Sequence, residues 1–334
     1  MEIKKALTLR ASSIGDCLMG KYLLDNIHAQ YPRARLGLVV GSRAAMLRDL
    51  FADYPYIEVV EANRRNPASL LRLLRDWRGS DLVVTQYAGK PGGRFSLGSK
   101  LMARLLAKKL VGFSDASKFN SFLYDNLVTL DINEAPAELE RRALRAAGLK
   151  VPLPYPALSA PEPTDVLKKF GLTAGAYVPV HLFSGGKNRS LGPAKRRELL
   201  AALAAALPGV TLLVTGSAAE ASSARDIANG LPVRVIAGEV SLQELMSLIA
   251  QSAVVVSVDT GVAHMAAQLG APLVVLTSCV GAHWWQDNQY GNNPRVQVFS
   301  NPEPGGHVAK DYPDCIGTID FAAAARVASN FIKR

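Results

Sequence analysis

Residues 254–276 read VVVSVDTGVAHMAAQLGAPLVVL, and the reading of this stretch decides the fold. Four valines and a serine at 254–258 are apolar toward both faces, as a buried parallel strand requires. The chain then turns through Asp259, Thr260 and Gly261, continues as a short apolar helix to Leu269, stops at Gly270 and enters a second hydrophobic strand after Pro272. A helix that starts at the carboxyl end of a parallel strand directs unpaired amides and the positive end of its dipole at the crevice beyond, a setting for anions. Gly261 lets a ligand approach the backbone, Thr260 offers a hydroxyl, and Asp259 either caps the helix or accepts from a ligand hydroxyl. His264 falls one helical turn after Thr260, on the same side. A phosphate-bearing small molecule fits this turn, although Asp-Thr-Gly before a helix also occurs as simple capping chemistry.

The chain has 334 residues, more than one core usually holds, so two domains of about 150 residues are expected. At 49% hydrophobic and 20% charged residues the composition is that of a globular protein. No apolar run reaches the roughly 18 residues of a membrane span, and the opening MEIKKALTLRASSIGD lacks the apolar core of a signal peptide, so a cytoplasmic location is expected. Cys17, Cys279 and Cys315 are widely spaced, which argues for free thiols and no zinc. Of the net charge of +10, residues 1–155 carry +9, from 24 basic and 15 acidic side chains. Residues 64–109 alone hold 11 basic and 2 acidic ones. Such a patch suits nucleic acid, an anionic membrane or a phosphorylated acceptor, or forms merely solvated helix faces. Aromatics make up only 7% and are not interleaved with the basic residues, against single-stranded nucleic acid.

Read from the start, a strand at 5–10 leads through A-S-S-I-G-D into a helix running to about Gln30, with Asp16 at its first turn. Strands follow at 36–40, 57–60 and 81–86, with helices at 43–52 and 67–77 between them. Residues 88–99 are a glycine-rich basic loop, and residues 100–110 have the spacing of an amphipathic helix bearing Lys100, Arg104, Lys108 and Lys109. That helix either packs on the sheet or touches an amphiphile or membrane surface. After a helix at 134–147, residues 151–163 contain five prolines and read as the linker. The second half repeats the alternation, with strands at 177–183, 210–215 and 233–236 and helices at 193–206, 220–229 and 241–251. This pattern predicts two doubly wound parallel sheets facing a central cleft. The expected divisions are residues 1–155, residues 156–319, and a C-terminal helix within 320–334. That helix has little core left to complete in its own domain, and a crossing back to the first is the expectation.

The stretch D-T-G-x-x-H-x-A-A-x-L-G-x-P resembles the nucleotide-sugar segment of glycosyltransferase family 9, the lipopolysaccharide heptosyltransferases. The likeness extends over nearly the whole chain. R-A-S-S-I-G-D resembles the family's N-terminal loop, whose aspartate is the proposed catalytic base, here Asp16. HLFSGGKNRSLGP resembles the segment that holds the diphosphate, implying Ser184 and either Arg189 or Lys187, with Leu191 where a tryptophan is usual. T-G-S-A-A-E places Glu220 where the family bonds the ribose, a position equally suited to a helix-start carboxylate. Val240 falls where the backbone meets the adenine, and Ser241 is read as the cap of the next helix. After Leu276 the likeness weakens, with S-C-V-G-A-H-W-W where a short loop containing glycine and proline is expected.

The resemblance implies the GT-B fold, with the donor on the second domain at Ser184, Lys187, Arg189, Glu220, Val240, Asp259, Thr260, Gly261 and His264. It implies acceptor contacts on the first domain, for which Ser13, Gly15, Arg64, Lys90 and Arg94 are the candidates. It also implies inverting transfer without a metal or other cofactor, most simply of heptose from ADP-heptose to an anionic glycolipid acceptor of the lipopolysaccharide inner core. A transient contact with the inner leaflet would follow, and no nucleic acid partner. A different acceptor, such as a protein or an O-antigen sugar, stays open. A dinucleotide-binding module without transferase activity is the distant alternative, since neither half has G-x-G-x-x-G after a strand.

Overall fold

The computed structural model describes residues 2–10, 13–87, 95–115, 117, 120–131, 134–161, 165–186, 189–278, 284–285, 289–291, 295–300 and 315–332. The chain divides into two compact units, Met1–Pro156 and Ala157–Arg334.

In the first unit, strands β1 (Lys5–Leu9), β2 (Arg35–Val40), β3 (Ile57–Glu61), β4 (Ser80–Thr85), β5 (Ala107–Phe113) and β6 (Asn126–Val128) form one parallel sheet in the order β3-β2-β1-β4-β5-β6. Helices α1 (Ile14–Gln30), α2 (Ala44–Leu50), α3 (Pro67–Trp77), α4 (Leu97–Leu106), α5 (Asn120–Leu123) and α6 (Pro136–Ala146) alternate with the strands. The parallel strands are apolar because both sheet faces are covered, and Leu7, Leu9, Val39, Val83 and Leu110 pack there against Leu73 and Trp77 of α3. Helix α1 has almost no amphipathic asymmetry because it is buried from Cys17 to Ile27, lying against β2 and α6. Two buried charges on it pair with each other, Lys21 Nζ lying 2.6 Å from Asp25 Oδ2.

The helical spacing over 100–110 does not hold: α4 ends at Leu106, and residues 107–113 are strand β5. Lys100, Arg104 and Lys108 keep a four-residue interval across the junction, which masks the change of period. What decides it is the pairing of β5 between β4 and β6, with Leu110, Val111 and Phe113 buried.

The second unit repeats the plan. Strands β7 (Tyr177–His181), β8 (Thr211–Thr215), β9 (Val233–Val235), β10 (Val255–Val258), β11 (Leu273–Thr277) and β12 (Val296–Ser300) are all parallel, in the order β12-β11-β10-β7-β8-β9. Numbered from its own first strand, each sheet runs 3-2-1-4-5-6, the doubly wound order of the Rossmann fold. Helices α7 (Val166–Phe170), α8 (Pro193–Ala206), α9 (Ala221–Ala228), α10 (Leu242–Ala250), α11 (Gly261–Gln268) and α12 (Phe321–Ile332) complete it. After α11 the chain reverses at Gly270, whose φ of +69° lies in the left-handed region that favours glycine.

The C-terminal helix also differs from expectation. Phe321, Ala324, Ala325 and Ala328 of α12 belong to the core of the second unit, against Leu199, Leu200 and Leu203 of α8. Alanines on both helices let the backbones approach, so there was core left to complete. Among the described residues no helix is long and apolar enough to cross a membrane.

Candidate active site

In a doubly wound sheet the carboxyl ends of the two strands flanking the reversal of strand order open a crevice. In the second unit those strands are β7 and β10, paired at Val256–Val180 and Ser257–His181. The loops that leave them carry the diphosphate candidates. After β7 the chain turns tightly: the Ser190 hydroxyl donates to the carbonyls of Ser184 (2.8 Å) and Gly186 (3.0 Å), and the Arg189 amide donates to Gly186 O at 3.0 Å. Arg189 is thereby held at the loop's end with its side chain 44% exposed. Lys187, Lys90 and Arg94 lie outside the described residues.

After β10 comes the Asp-Thr-Gly turn. Thr260 is the N-cap of α11, yet its side chain makes no capping hydrogen bond. The first backbone bond of that helix runs from His264 N to Thr260 O at 3.2 Å, so the amides of Gly261, Val262 and Ala263 precede the ladder. Asp259 does not cap the helix either. Its carboxylate is buried, with Oδ1 accepting from Trp285 Nε1 at 3.2 Å and lying 3.5 Å from His264 Nε2, while Arg189 Nη1 stands 3.7 Å from Oδ2. The motif is therefore not plain capping chemistry.

Electrostatics follow from this packing. Burial works to raise the Asp259 pKa, but His264, then Arg189 and Trp285, outweigh it and hold the carboxyl below its ordinary value. His264 is itself buried, stacked on Trp285 at 4.8 Å between centroids and 3° between planes, with Nδ1 2.5 Å from the Tyr290 hydroxyl. Burial, reinforced by the charge of Asp259, keeps the Tyr290 phenol protonated well above its usual range. His264 therefore has Nδ1 against the Tyr290 hydroxyl and Nε2 toward Asp259. His264 thus faces Asp259 from within the protein and presents little surface to a ligand.

The other donor candidates lie along the same sheet edge. Glu220 ends a 3₁₀ turn after β8, and its Oε2 accepts from Ser217 N at 2.7 Å and Ser217 Oγ at 2.8 Å, a reciprocal cap of the kind its helix-start reading predicts. Val240 follows β9 and packs with the cluster of Val166, Phe170 and Tyr177, while Ser241 caps α10 by accepting from Glu244 N at 3.2 Å. Leu191 is buried in the core. Ser184, Arg189, Glu220, Val240, Asp259, Thr260 and Gly261 therefore all sit at or just beyond the carboxyl ends of four adjacent strands, β9-β8-β7-β10.

In the first unit the strand flanking the reversal is β1, and Asp16 is in the first turn of the helix that follows it. Ser13 caps α1, accepting from Asp16 N at 3.3 Å, and its hydroxyl donates to Asp16 Oδ2. Gly15 lies between them, part-exposed. Arg64 is elsewhere, before α3, donating to Ser96 Oγ. Beneath Asp16 the end of β1 carries Arg10, fully buried and bidentate to Glu140 of α6 at 2.5 and 2.8 Å. Burial works against the Arg10 charge, but Glu140, with smaller help from Asp16, holds the guanidinium protonated. Burial and then Asp16 push the neighbouring Cys17 thiol up to about 12, which leaves it inert.

Sequence reasoning missed Trp285 and Tyr290, although the W-W pair in the atypical stretch after Leu276 was a signal. It also missed the Arg10–Glu140 pair, for which a separation of 130 residues offers no local signal. Among the described residues no group of three or more His, Cys, Asp or Glu side chains is placed to hold a metal ion.

A doubly wound parallel sheet that ends in an uncapped helix start beside an arginine is the architecture of a nucleotide-binding protein, and this chain contains two such sheets, GT-B-like in their winding. A family model described as glycosyltransferase family 9 (heptosyltransferase) matches residues 96–280, more than half of the chain. The chain belongs to glycosyltransferase family 9. Among solved structures, the E. coli ADP-heptose lps heptosyltransferase II is 19% identical, with 98% of this chain and 99% of that one covered at a TM-score of 0.71. The glycosyl transferase family 9 protein from Veillonella parvula DSM 2008 is 16% identical, with coverage of 90% and 87% and a TM-score of 0.70. An E. coli heptosyltransferase with ADP-2-deoxy-2-fluoro heptose is 21% identical, with coverage of 88% and 92% and a TM-score of 0.64. No curated protein matches the sequence. Family membership supports glycosyl transfer from a nucleotide-sugar donor.

Proposed function

We propose that this protein is an inverting, metal-independent transferase that moves heptose from ADP-heptose to the inner core of lipopolysaccharide or a related anionic acceptor. The observation that carries the reading is the second unit's strand edge, where Arg189 and the amides at the start of α11 flank the reversal of strand order. The ADP-linked heptose named for one structural relative supports the choice of donor.

In this reading the acceptor is held by the first unit and the donor by the second. An acceptor hydroxyl oxygen attacks the anomeric carbon as the bond from that carbon to the diphosphate oxygen breaks, inverting the centre. Asp16 takes the hydroxyl proton. The charge left on the diphosphate is met by Arg189, whose planar fork suits two phosphate oxygens, and by the amides of Gly261 and Val262. Both strengthen as charge develops, so they favour the transition state over the bound donor. Asp259, fixed by His264 and Trp285, accepts from a hydroxyl of the donor through Oδ2, and His264 is a positioning residue. Glu220 offers its second carboxylate oxygen to the ribose, and the backbone at Val240 meets the adenine.

A panel of nucleotide sugars scored by thermal shift tests the reading, because a ligand that binds only the folded state raises the melting temperature. ADP-heptose and ADP should raise it, and GDP- and UDP-sugars should not. A shift produced by a uridine or guanosine sugar alone would refute the donor assignment.

A further inference from the structure

Helix α4 carries Leu97, Leu101 and Leu105 at intervals of four residues, along one ridge, and all three are exposed. Its opposite side is committed to the interior through Lys100, Ala103 and Leu106. Lys100 explains how the helix is fixed: its Nζ lies 2.7 Å from Asp115 Oδ2 and 2.6 Å from Asn120 Oδ1, and the pair is buried. Two helices that touch α4 carry further exposed apolar side chains. Phe122 of α5 is 85% exposed and Leu71 of α3 is 66% exposed.

The rim of this apolar surface is cationic. Arg64 reaches Ser96 at the amino end of α4, Arg104 and Lys108 stand at its carboxyl end, and Arg72 follows Leu71. Arg104 and Lys108 have carboxylate partners in Asp125 and Asp81, whereas Arg64, Arg65 and Arg72 form no ion pair among the described residues. An apolar patch of this kind marks a contact surface, and its charge selects the partner. A second copy would bring +9 against +9, since residues 1–155 carry nearly all the net charge. A bilayer with anionic headgroups satisfies both the leucine ridge and the arginines.

We infer that the α4 ridge is a docking surface for an anionic phospholipid bilayer. Leu97, Leu101, Leu105 and Phe122 enter the boundary between headgroups and acyl chains, and Arg64, Arg65 and Arg72 meet lipid phosphates. This deepens the reading of a lipid-borne acceptor and rests on it, but vesicle binding is measured without any sugar transfer.

The test is co-sedimentation of the full chain with vesicles of phosphatidylcholine alone or mixed with phosphatidylglycerol. The protein should sediment with the mixed vesicles and only weakly with the neutral ones, and added salt should weaken the association. L101E/L105E should lower binding about tenfold or more, and Arg72→Glu about fivefold or more. Both sites are exposed, so melting temperature and transfer to a soluble acceptor analogue should be unchanged. Emission from Leu101→Trp should shift to the blue on adding mixed vesicles. No binding to mixed vesicles, or binding indifferent to L101E/L105E, overturns the assignment, as does a dimer in the ultracentrifuge that L101E/L105E dissolves. A protein that binds vesicles but responds to no nucleotide sugar retains this surface and loses the transferase reading. One that transfers sugar to a soluble acceptor but ignores vesicles does the reverse.

Discussion

Arg189 Nη1 stands 3.7 Å from Asp259 Oδ2, joining the loop after β7 to the turn after β10 across the point where the strand order reverses. The arginine is part-exposed and the aspartate buried, so the guanidinium has donors to spare for an incoming anion. Arg189→Ala should weaken ADP binding by about ten- to a hundredfold, the loss of one or two charge-assisted hydrogen bonds. Arg189→Lys should recover only part of it, since a point charge lacks the fork. Isothermal titration with ADP reads both, and unchanged affinity would move the diphosphate contact to Lys187.

Among the described residues Asp16 is hydrogen-bonded through Ser13, at a part-exposed helix start. Asp16→Asn should lower kcat by about a hundred- to ten-thousandfold, the worth of a general base, with donor affinity unchanged. Ser13→Ala should cost about 1 kcal/mol of stability as a lost cap and leave most of the turnover. Normal turnover in Asp16→Asn would remove the residue from the chemistry.

His181, at the end of β7, has Nδ1 3.0 Å from the Thr215 hydroxyl. Burial, opposed by the nearby Glu220, lowers its pKa from 6.5 to about 4. The unfolded chain therefore takes up a proton that the folded one refuses between pH 6.5 and about 4. Stability should fall as pH falls through that window, by about 3 kcal/mol in all. His181→Gln should flatten this part of the stability profile in urea melts at a series of pH values, and an unchanged slope would assign it to other groups.

Arg10 and Glu140 are both inaccessible and form two parallel hydrogen bonds. Arg10→Met should destabilise by about 3–5 kcal/mol because it strands a buried carboxylate, while R10M/E140M should recover most of that loss. Gly20 belongs to the same arrangement: a Cβ there would fall 2.9 Å from Arg10 Cγ and 2.8 Å from Leu38 Cδ1. Gly20→Ala should therefore destabilise by about 1–3 kcal/mol through overpacking. Chemical denaturation of the three variants measures these differences.

The sequence by itself determined the winding of the two sheets and the strand-end turns, because a strand buried on both faces must be apolar throughout and a helix must announce its ends. VVVSV, the stop at Gly270 and the Ser241 cap are local facts of this kind. Only the tertiary structure decided that residues 107–113 are a strand, since their pairing partners are remote in the chain. The same holds for α12, which completes the core beside α8, and for Asp259, whose partners Trp285 and Arg189 come from two other loops. Periodicity records which face of a segment is buried. Which neighbour buries it, and which buried charge meets which donor, depends on contacts that long-range packing alone creates.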